Sequence, residues 1–397
     1  MSVERCLTAT ALLAGLCACA PGPVSTVAPE PAPPLMRAIH DSVVRVLDRA
    51  IADSAFPGAI AVVGTRDGRL TSYVAGRIDW PAQAPPPDER TLWDLASLTK
   101  VVGMTTAMMQ LVEQDRVELD APVARYIPEF IGTGKERVTI RHLLTHSSGL
   151  PSWRPLYKEA TTADTAVSIV YATPLDTVPG ARMVYSDLGA ILLGKVVERV
   201  SGERLDTYLS RHIFQPLGMT ATTYRPDASL RDRIAPTEFD PWRQRHIRGE
   251  VHDENAFMLG GISGHAGLFS TAADLTRFAR MMLGGGVLDG VRILAAPTIA
   301  QFTAVQDPGL SHRALGWETP SGRNSAGTRM SARAFGHTGF TGTSLWMDPE
   351  AGVFVILLSN RVNPSRQNTR IGLVRTALAD AVMAAVGSAA SLSPGSP

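Results

Sequence analysis

Ser97 and Lys100 are a serine and a lysine three residues apart, at the start of an apolar run, Ser97–Gln114, that predicts a helix. Because positions i and i+3 share a helix face, Lys100 can reach the Ser97 hydroxyl. A hydroxyl is a poor nucleophile until another group takes its proton, and a partly desolvated lysine near the positive end of a helix can be neutral enough to take it. The Ser97 backbone N–H can also stabilise a developing oxyanion there. The alternative interpretation is an N-capping serine beside an exposed lysine, and the spacing alone does not separate the two.

Two further triplets follow this pair along the chain. Tyr185-Ser186-Asp187 lies between Pro179-Gly180 and a predicted helix, and His337-Thr338-Gly339 precedes a predicted strand. The order Ser-x-x-Lys, then Tyr-x-Asn or a relative of it, then Lys/His-Thr-Gly resembles the serine penicillin-recognising enzymes. It resembles in particular the class C β-lactamase-like group, which includes DD-carboxypeptidases, esterases and cell-wall amidases. The resemblance covers about 36–386, and the other stretches that carry it are Leu92–Ser97, Thr139–Pro151, Pro216–Met219 and Gly267–Thr271.

The resemblance implies a role for each matching residue. Ser97 would be the nucleophile, Lys100 its activating partner, and Tyr185 the general base or a proton relay to the leaving group. The strand that carries 337–339 would form one wall of the cleft, where the Phe340 N–H would be the second oxyanion donor. Acylation of Ser97 would be followed by attack of water, and no metal or organic cofactor would be needed.

Two positions depart from the pattern of this family. Asp187 stands where an Asn is usual, and an ionised carboxylate only accepts hydrogen bonds, whereas an amide also donates them. Asp187 can instead pair with Lys100, which would make the lysine an orienting cation more than a base. His337 stands where most β-lactamases have Lys, and a neutral imidazole attracts a substrate carboxylate less than an ammonium does. The predicted function is therefore hydrolysis of a cell-wall peptide, amide or ester; the alternatives are a true β-lactamase and a penicillin-binding sensor or scaffold without turnover.

A polar, glycine-rich region between the second and third motifs is a further candidate. It contains His252-Asp253-Glu254-Asn255 and then the stretch Gly260–Gly267 with His265. These residues resemble a subgroup that includes cell-wall amidases and penicillin-binding-protein-like hydrolases. Three interpretations stay open: a loop in the cleft with His252 or His265 touching substrate, a structural use of the glycines, and a metal site, although the spacing matches no familiar ligand set.

The predicted elements place these motifs in an α+β fold. Apolar residues recur at helical spacing over Leu35–Ala55, and two β-rich runs follow around the turn signal Asp67-Gly68. Near the other end, two strand-like runs precede a helix over Ile371–Val386. The middle predicts helices over Ser97–Gln114, Val138–Thr145, Leu188–Val200, Arg204–Phe214 and Thr271–Leu283. We therefore expect an α/β part that is built from about 35–96 and 301–386. A mainly helical part, about 97–300, is inserted between these two segments. The resemblance implies that the α/β part contains an antiparallel sheet flanked by the terminal helices.

Composition and the N-terminal region indicate where the protein acts. A formal net charge of +1 gives no electrostatic footprint for nucleic acid, and 45% hydrophobic residues are too many for a disordered chain.

All three cysteines lie in the first twenty residues, in and around a short apolar run that predicts a signal peptide over 1–19. The run Leu16–Cys19 resembles a lipoprotein cleavage site, which implies a lipid on Cys19 and a membrane-anchored protein on the periplasmic face of the envelope; simple secretion is the alternative. A proline-rich linker is predicted over 20–34 and a disordered tail over 387–397, while the oligomeric state is not predicted.

Overall fold

The chain from Pro34 onward builds a five-stranded antiparallel sheet from its two ends and places helices between them. The computed structural model describes residues 1–2, 33–321 and 324–390, so the predicted signal peptide, most of the predicted linker and Cys19 lie outside the described residues. The helices are α1 (Pro34–Ala52), α2 (Thr106–Glu113), α3 (Ile140–Leu144), α4 (Leu156–Glu159), α5 (Ala163–Ala172), α6 (Asp187–Ser201), α7 (Leu205–Leu209), α8 (Glu254–Met258), α9 (Ala272–Leu283), α10 (Ala296–Thr303) and α11 (Ile371–Ala390). The strands are β1 (Gly58–Thr65), β2 (Gly68–Gly76), β3 (Trp93–Asp94), β4 (Thr223–Tyr224), β5 (Phe239–Asp240), β6 (Arg245–His246), β7 (Leu268–Ser270), β8 (Val287–Leu288), β9 (Val291–Arg292), β10 (Phe335–Thr338), β11 (Ser344–Asp348) and β12 (Val353–Ser359).

Strand order in the main sheet is β10-β11-β12-β1-β2, so that the first strand of the chain lies beside the last. In this antiparallel pairing, Ile60 of β1 is opposite Val74 of β2 on one side and Leu358 of β12 on the other. The predicted hairpin around Asp67-Gly68 joins β1 to β2. The apolar residues of β1 and β12 are buried throughout, as expected for strands that are covered on both faces.

Each face of the sheet packs against a different layer. Side chains of a strand alternate between the two faces, and Ala61 and Val63 of β1 face one core while Ile60 and Val62 face the other. The first core is closed by α1 and α11; the second joins the sheet to the helices of the inserted part. α11 is long and apolar enough to cross a membrane by length and composition, but one side of it packs into this first core through Val374, Leu378 and Val382.

These features confirm the predicted α+β fold with terminal helices on an antiparallel sheet and a mainly helical insertion. A small three-stranded sheet, ordered β3-β7-β4, pairs a strand that precedes the insertion with two strands inside it; periodicity did not predict this sheet because its strands have only two or three residues. β3 matters for the site because it ends three residues before Ser97.

Three predicted helices differ from the structure in detail. The run that begins at Ser97 is a π-helix over Lys100–Thr105 before α2 begins, and Thr106 Oγ1 donates to Val101 O over a distance of 2.8 Å. The predicted helix Arg204–Phe214 likewise divides into α7 and a π-helical segment, Ser210–Phe214. α11 continues to Ala390, four residues into the predicted disordered tail, since Ser388 Oγ can donate to Ala384 O. Residues 391–397 lie outside the described part.

Candidate active site

Ser97 lies in a turn between β3 and the π-helix, and a buried carboxylate fixes that turn. Asp94 Oδ1 accepts a hydrogen bond from Ala96 N at 2.8 Å, and Asp94 Oδ2 accepts one from His252 N at 2.6 Å. Ala96 has a φ of +45°, a left-handed conformation that costs energy for a residue with a side chain. Asp94 therefore stabilises the strained turn that presents Ser97 to the cleft.

Three oxygen atoms lie within 3.0 Å of the ammonium nitrogen of Lys100. Its Nζ lies 2.9 Å from Ser97 Oγ, 3.0 Å from His265 O and 2.7 Å from Asp187 Oδ1. The side chain is only 2% exposed. Burial alone would lower the pKa of Lys100, but the negative charge of Asp187 and the Tyr185 oxygen outweigh it, so the pKa is raised. Lys100 is therefore a cation that orients Ser97, and the expected pairing with Asp187 is present.

Tyr185 is the remaining member of the predicted catalytic set; it lines the same cleft as Ser97, and Lys100 Nζ lies 5.0 Å from the centre of its ring. Burial raises the pKa of Tyr185 more than the Lys100 cation lowers it, so the group is a neutral phenol at physiological pH. Its ring packs against two imidazoles, 4.5 Å from that of His146 and 5.9 Å from that of His337, measured between ring centroids. These two contacts hold the ring in position beside the nucleophile.

His146 holds the segment that carries Tyr185, a role that the sequence analysis missed. Its Nδ1 accepts a hydrogen bond from Ser186 N at 3.1 Å, and its carbonyl accepts one from Val184 N at 2.8 Å. Burial moves the pKa of His146 well below its usual value, so the ring stays neutral and can accept through Nδ1. Ser186 then caps α6, with Oγ accepting from Gly189 N, so that Asp187 occupies the first turn of α6. The feature of the sequence that could have pointed to His146 is its position inside the stretch Thr139–Pro151, which resembles the family.

The loop after β10 brings Phe340 close to the nucleophile turn. Thr341 Oγ1 donates to Asp94 O at 2.6 Å, and Thr343 Oγ1 donates to Leu95 O at 3.0 Å. A Cβ atom on Gly339 would lie 2.3 Å from Leu95 O, so only glycine allows this approach. Among the described residues, neither the Ser97 N–H nor the Phe340 N–H has a hydrogen-bond acceptor. Both are free to bind an oxyanion, as an oxyanion hole requires.

His337 lies on β10 beside Tyr185, and its ring is buried and uncharged. Nδ1 donates to Thr338 O at 2.8 Å, and burial lowers the pKa of His337 to about 4. Its Nε2 is buried without a hydrogen-bond partner, 3.8 Å from Glu318 Oε1. Glu318 is itself paired with Arg313, whose guanidinium lies 5.2 Å from the centre of the Tyr185 ring. His337 therefore packs against Tyr185 and does not supply a charge for a substrate carboxylate.

The two histidines of the glycine-rich region line the cleft. His252 Nε2 lies 2.7 Å from Glu238 Oε1, and the two ring nitrogens of His265 lie 2.8 Å from Ser263 Oγ and 2.9 Å from Asp253 Oδ1. Both rings are buried. Contact between a substrate and either histidine stays a prediction. His265 also holds Lys100 through its carbonyl.

Glu238 connects this region to the far end of the chain. Besides His252, Glu238 binds the backbone N–H and the guanidinium of Arg366, and Arg366 also pairs with Glu254 at 2.7 Å. No pattern in the sequence marked Glu238 or Arg366. In the ranges 33–321 and 324–390, no three side chains of the His, Cys, Asp and Glu types are grouped to hold a metal ion.

A cleft with a volume of about 270 Å³ opens above Ser97. Its lining combines the predicted groups with an exposed tryptophan, the Arg366–Glu254 pair and the ring of Phe340. The lining residues are Ala96, Ser97, Trp153, Tyr185, Asp187, His252, Asp253, Glu254, His265, Ala266, Phe340 and Arg366. The arrangement can hold a carbonyl group between a positioned hydroxyl and two backbone N–H donors, which is the geometry of acyl transfer.

A family model of beta-lactamases matches residues 43–379, most of the chain. The chain belongs to the beta-lactamase family. Its relatives include a putative D-alanyl-D-alanine carboxypeptidase of Escherichia coli (strain K12), 35% identical over 302 residues, which span 68% of this chain and 69% of that protein. They also include an N-acetylmuramyl-L-alanine amidase of Bacillus subtilis (strain 168), 32% identical over 359 residues, or 80% of each chain.

Solved structures of this family share the fold. EstCE1, described as a hydrolase with promiscuous acyltransferase activity, superposes with a TM-score of 0.72 at 22% identity, over 88% of this chain and 99% of that one. A penicillin-binding protein homologue from Caulobacter crescentus gives a TM-score of 0.70 at 22% identity, over 88% and 98% of the two chains. The predicted family, fold and enzyme class are thereby confirmed: the chain is a serine hydrolase of this family.

Proposed function

We propose that the protein hydrolyses a peptide, amide or ester of the cell wall through an acyl-Ser97 intermediate. The observation that carries the proposal is the hydrogen bond from a charged Lys100 to Ser97 Oγ, at a cleft that the neutral Tyr185 also lines. The two relatives reported above, a putative D-alanyl-D-alanine carboxypeptidase and an N-acetylmuramyl-L-alanine amidase, support the choice of a cell-wall substrate.

The charge states assign the protons in acylation. Since Lys100 already holds its proton, Tyr185 relays the proton that Ser97 loses. As Ser97 Oγ bonds to the substrate carbonyl carbon, its proton passes to the Tyr185 oxygen, and the Tyr185 proton passes to the leaving nitrogen or oxygen. The phenol is neutral before and after the step, so its raised pKa is no obstacle. Lys100 stabilises the negative charge that develops on Ser97 Oγ.

Deacylation uses the same groups in reverse. A water molecule attacks the acyl carbon and gives its proton to Tyr185, while the Tyr185 proton returns to Ser97 Oγ as the ester bond breaks. In both steps the carbonyl oxygen becomes an oxyanion between the N–H groups of Ser97 and Phe340.

Two features of the cleft weigh against a β-lactam antibiotic as the substrate, and the second weighs equally against a peptide with a free C-terminal carboxylate. Asp187 is committed to Lys100 and has no amide N–H to offer a substrate carbonyl. His337, with a pKa of about 4, is uncharged at physiological pH and does not attract the carboxylate that such antibiotics carry.

A substrate panel on the wild type and on Ser97→Ala tests the proposal. The panel comprises a p-nitrophenyl ester, a D-Ala-D-Ala peptide, a muropeptide and a cephalosporin. We expect turnover of the ester and of a cell-wall compound, lost by about 10³-fold or more in Ser97→Ala and unchanged in Ser168→Ala, whose serine is exposed on α5. Activity that survives in Ser97→Ala would contradict the proposal. If the wild type turns over only the cephalosporin, and does so fast, the protein is a β-lactamase. If mass spectrometry shows a lasting adduct on Ser97 and no substrate is turned over, the protein is a sensor.

We also propose that a lipid on Cys19 tethers the enzyme to a membrane at the periplasmic face of the envelope. The run Leu16–Cys19 and the proline-rich stretch after it support this. Replacement Cys19→Ala is expected to release the protein from the membrane fraction, whereas Cys17→Ala, which leaves the attachment residue in place, is expected to stay. Unchanged membrane association of Cys19→Ala would contradict the anchor.

A further inference from the structure

An exposed row of aromatic side chains leads outward from the cleft. Trp153 lines the cleft and is 46% exposed, and its ring centroid lies 6.4 Å from that of Tyr157. Tyr157 lies 4.9 Å from Trp242, which is 38% exposed. We call these three residues the aromatic strip. Only 6% of the chain is aromatic, so two exposed tryptophans at one cleft are a strong local concentration.

The aromatic strip is supported by buried polar contacts that hold its backbone in place. Tyr157 N donates to Asn255 Oδ1 at 3.2 Å, and Asn255 Nδ2 donates to Arg154 O at 2.8 Å, so one amide fixes the segment between Trp153 and Tyr157. On the other side, Asp240 Oδ1 accepts from Trp242 N at 2.7 Å. Arg243 binds Asp240 and donates to the carbonyls at 251 and 252, which ties this hairpin to the cleft wall. The rings are thus fixed in place before any ligand binds.

The cleft itself is too small for a whole cell-wall fragment. A volume of about 270 Å³ lies just below the range of roughly 300–1,000 Å³ that ligand pockets usually occupy. It has room for the scissile bond and its neighbours, and the rest of a larger substrate has to lie on the adjoining surface. Trp153 belongs both to the cleft and to the aromatic strip, so the strip continues the cleft outward.

The chemistry of the aromatic strip fits a ligand with apolar faces and polar edges. Its rings are tilted by 54° and 67° to one another, and both tryptophans are exposed, so ring surface is open to a ligand. Charged groups border it: Lys158 Nζ lies 5.5 Å from the centre of the Tyr157 ring, and the Arg245–Glu250 pair lies on the same hairpin as Trp242. Pyranose rings match this surface, because their C–H faces stack on aromatic rings while their hydroxyl and acetamido groups bind polar side chains.

We propose that the aromatic strip binds the N-acetylated sugar rings of a glycan attached to the scissile peptide, amide or ester. The inference rests on the proposed cell-wall function and extends it: the enzyme acts on glycan-linked substrates in preference to free peptides. Trp153 takes the sugar nearest the bond that is cleaved, and Trp242 takes one farther along.

Binding without turnover tests the aromatic strip separately from catalysis. Titration of the Ser97→Ala protein with tetra-N-acetylchitotetraose, followed by calorimetry, is expected to show saturable binding that weakens about tenfold on adding Trp242→Ala. Trp242→Tyr, which retains a ring, is expected to restore most of the affinity. Phe239→Ala is the matched control, since Phe239 is 42% exposed on the same hairpin but contacts His246. Absence of binding at millimolar sugar, or equal binding by Trp242→Ala and the Ser97→Ala parent, would overturn the proposal even if the protein hydrolyses cell-wall peptides.

Kinetics test whether the bound sugar serves the reaction. For a muropeptide with its disaccharide, kcat/KM of Trp242→Ala is expected to fall about tenfold, while kcat/KM for the same peptide without sugar and for a p-nitrophenyl ester stays within about twofold. Equal losses on all three substrates would show a structural defect and contradict the aromatic strip. Loss of all cell-wall turnover in the wild type with retained sugar binding would instead contradict the proposed function alone.

Discussion

Lys100 and Lys135 are both about 2% exposed or less, yet their surroundings give them opposite properties. Lys100 pairs with Asp187, which raises its pKa despite burial. Lys135 donates to Tyr171 O at 2.6 Å and lies 4.8 Å from the centre of the Phe130 ring, and no carboxylate of the described residues pairs with it. Burial therefore lowers the pKa of Lys135.

The difference teaches that burial alone does not decide the charge of a lysine in this protein. The partner decides it, since a carboxylate at 2.7 Å outweighs the loss of hydration around Lys100. The chain has only four lysines, and of the two that are buried, Lys100 and Lys135, the one with a carboxylate partner is the one beside the nucleophile.

Replacing each of these lysines by methionine gives the largest expected contrast. Lys100→Met keeps the length of the side chain but removes the cation from Ser97 Oγ, and we expect kcat/KM for a p-nitrophenyl ester to fall about 10³-fold. Lys135→Met is expected to stay within about twofold of the wild type. Comparable activity losses in the two variants would show that both lysines act through the stability of the fold.

Replacement Asp187→Asn makes the surroundings of Lys100 resemble those of Lys135. Without the carboxylate, burial dominates and the pKa of Lys100 falls, so we expect about a 100-fold loss of kcat/KM at pH 7. The alkaline limb of the pH–rate profile should move to lower pH, which a purely structural defect does not produce. Asp187→Glu, which retains the charge, is expected to recover part of the rate. An unshifted alkaline limb in Asp187→Asn would contradict the role of the pair.

Acid should destabilise the catalytic region through His337. Its pKa is about 4 in the folded protein and about 6.5 in an unfolded chain, so between these values the unfolded state binds more protons. The free energy of unfolding therefore falls as the pH is lowered from about 6.5 to 4. Denaturant titrations at pH 6 and pH 5 are expected to show a loss about 1 kcal/mol smaller in His337→Gln than in the wild type. The control variant His246→Gln changes an exposed histidine, and its free energy of unfolding should fall between pH 6 and pH 5 by as much as that of the wild type. If the fall is also about 1 kcal/mol smaller in this control, the effect does not come from His337.

The smallest expected effect is on the stability of Lys135→Met. The variant loses the hydrogen bond to Tyr171 O but also the cost of burying an ammonium group, and a thioether packs well against Phe130. We expect the free energy of unfolding to change by no more than about 1 kcal/mol, measured by denaturant titration. A loss of several kcal/mol would mean that the ammonium–carbonyl bond, and not the partner charge, makes a lysine tolerable in this interior.

The sequence predicted the parts of the site that lie close together along the chain. Ser97 and Lys100 share a turn of helix, and the resemblance added Tyr185 and the loop around Phe340. Periodicity could not show that Lys100 begins a π-helix, because an extra residue in one turn leaves the apolar pattern nearly unchanged.

Supporting residues were missed where the contact joins distant parts of the chain. Glu238 and Arg366 are 128 positions apart, and neither belongs to a motif. Asp94 was inside a matching stretch, but only the folded chain shows that one carboxylate accepts both Ala96 N and His252 N. The same limit applies to the aromatic strip, whose members come from two separate segments of the chain, one around α4 and the other in the β5–β6 hairpin.

The pairing of β1 with β12 has a consequence for how the chain acquires its structure. Ala59 lies opposite Ser359, some 300 residues later, and both strands are in the middle of the sheet. Contacts between such distant positions raise the contact order, and high contact order slows folding. Until β12 has been synthesised, the β1–β2 hairpin has an apolar edge with free backbone groups, which is open to pairing with other chains. The residues of the nucleophile turn, which follow β3, are therefore synthesised early. The loop that supplies Phe340 can pack against this turn only after the last strands have been synthesised. The enzyme therefore gains its activity at the end of folding.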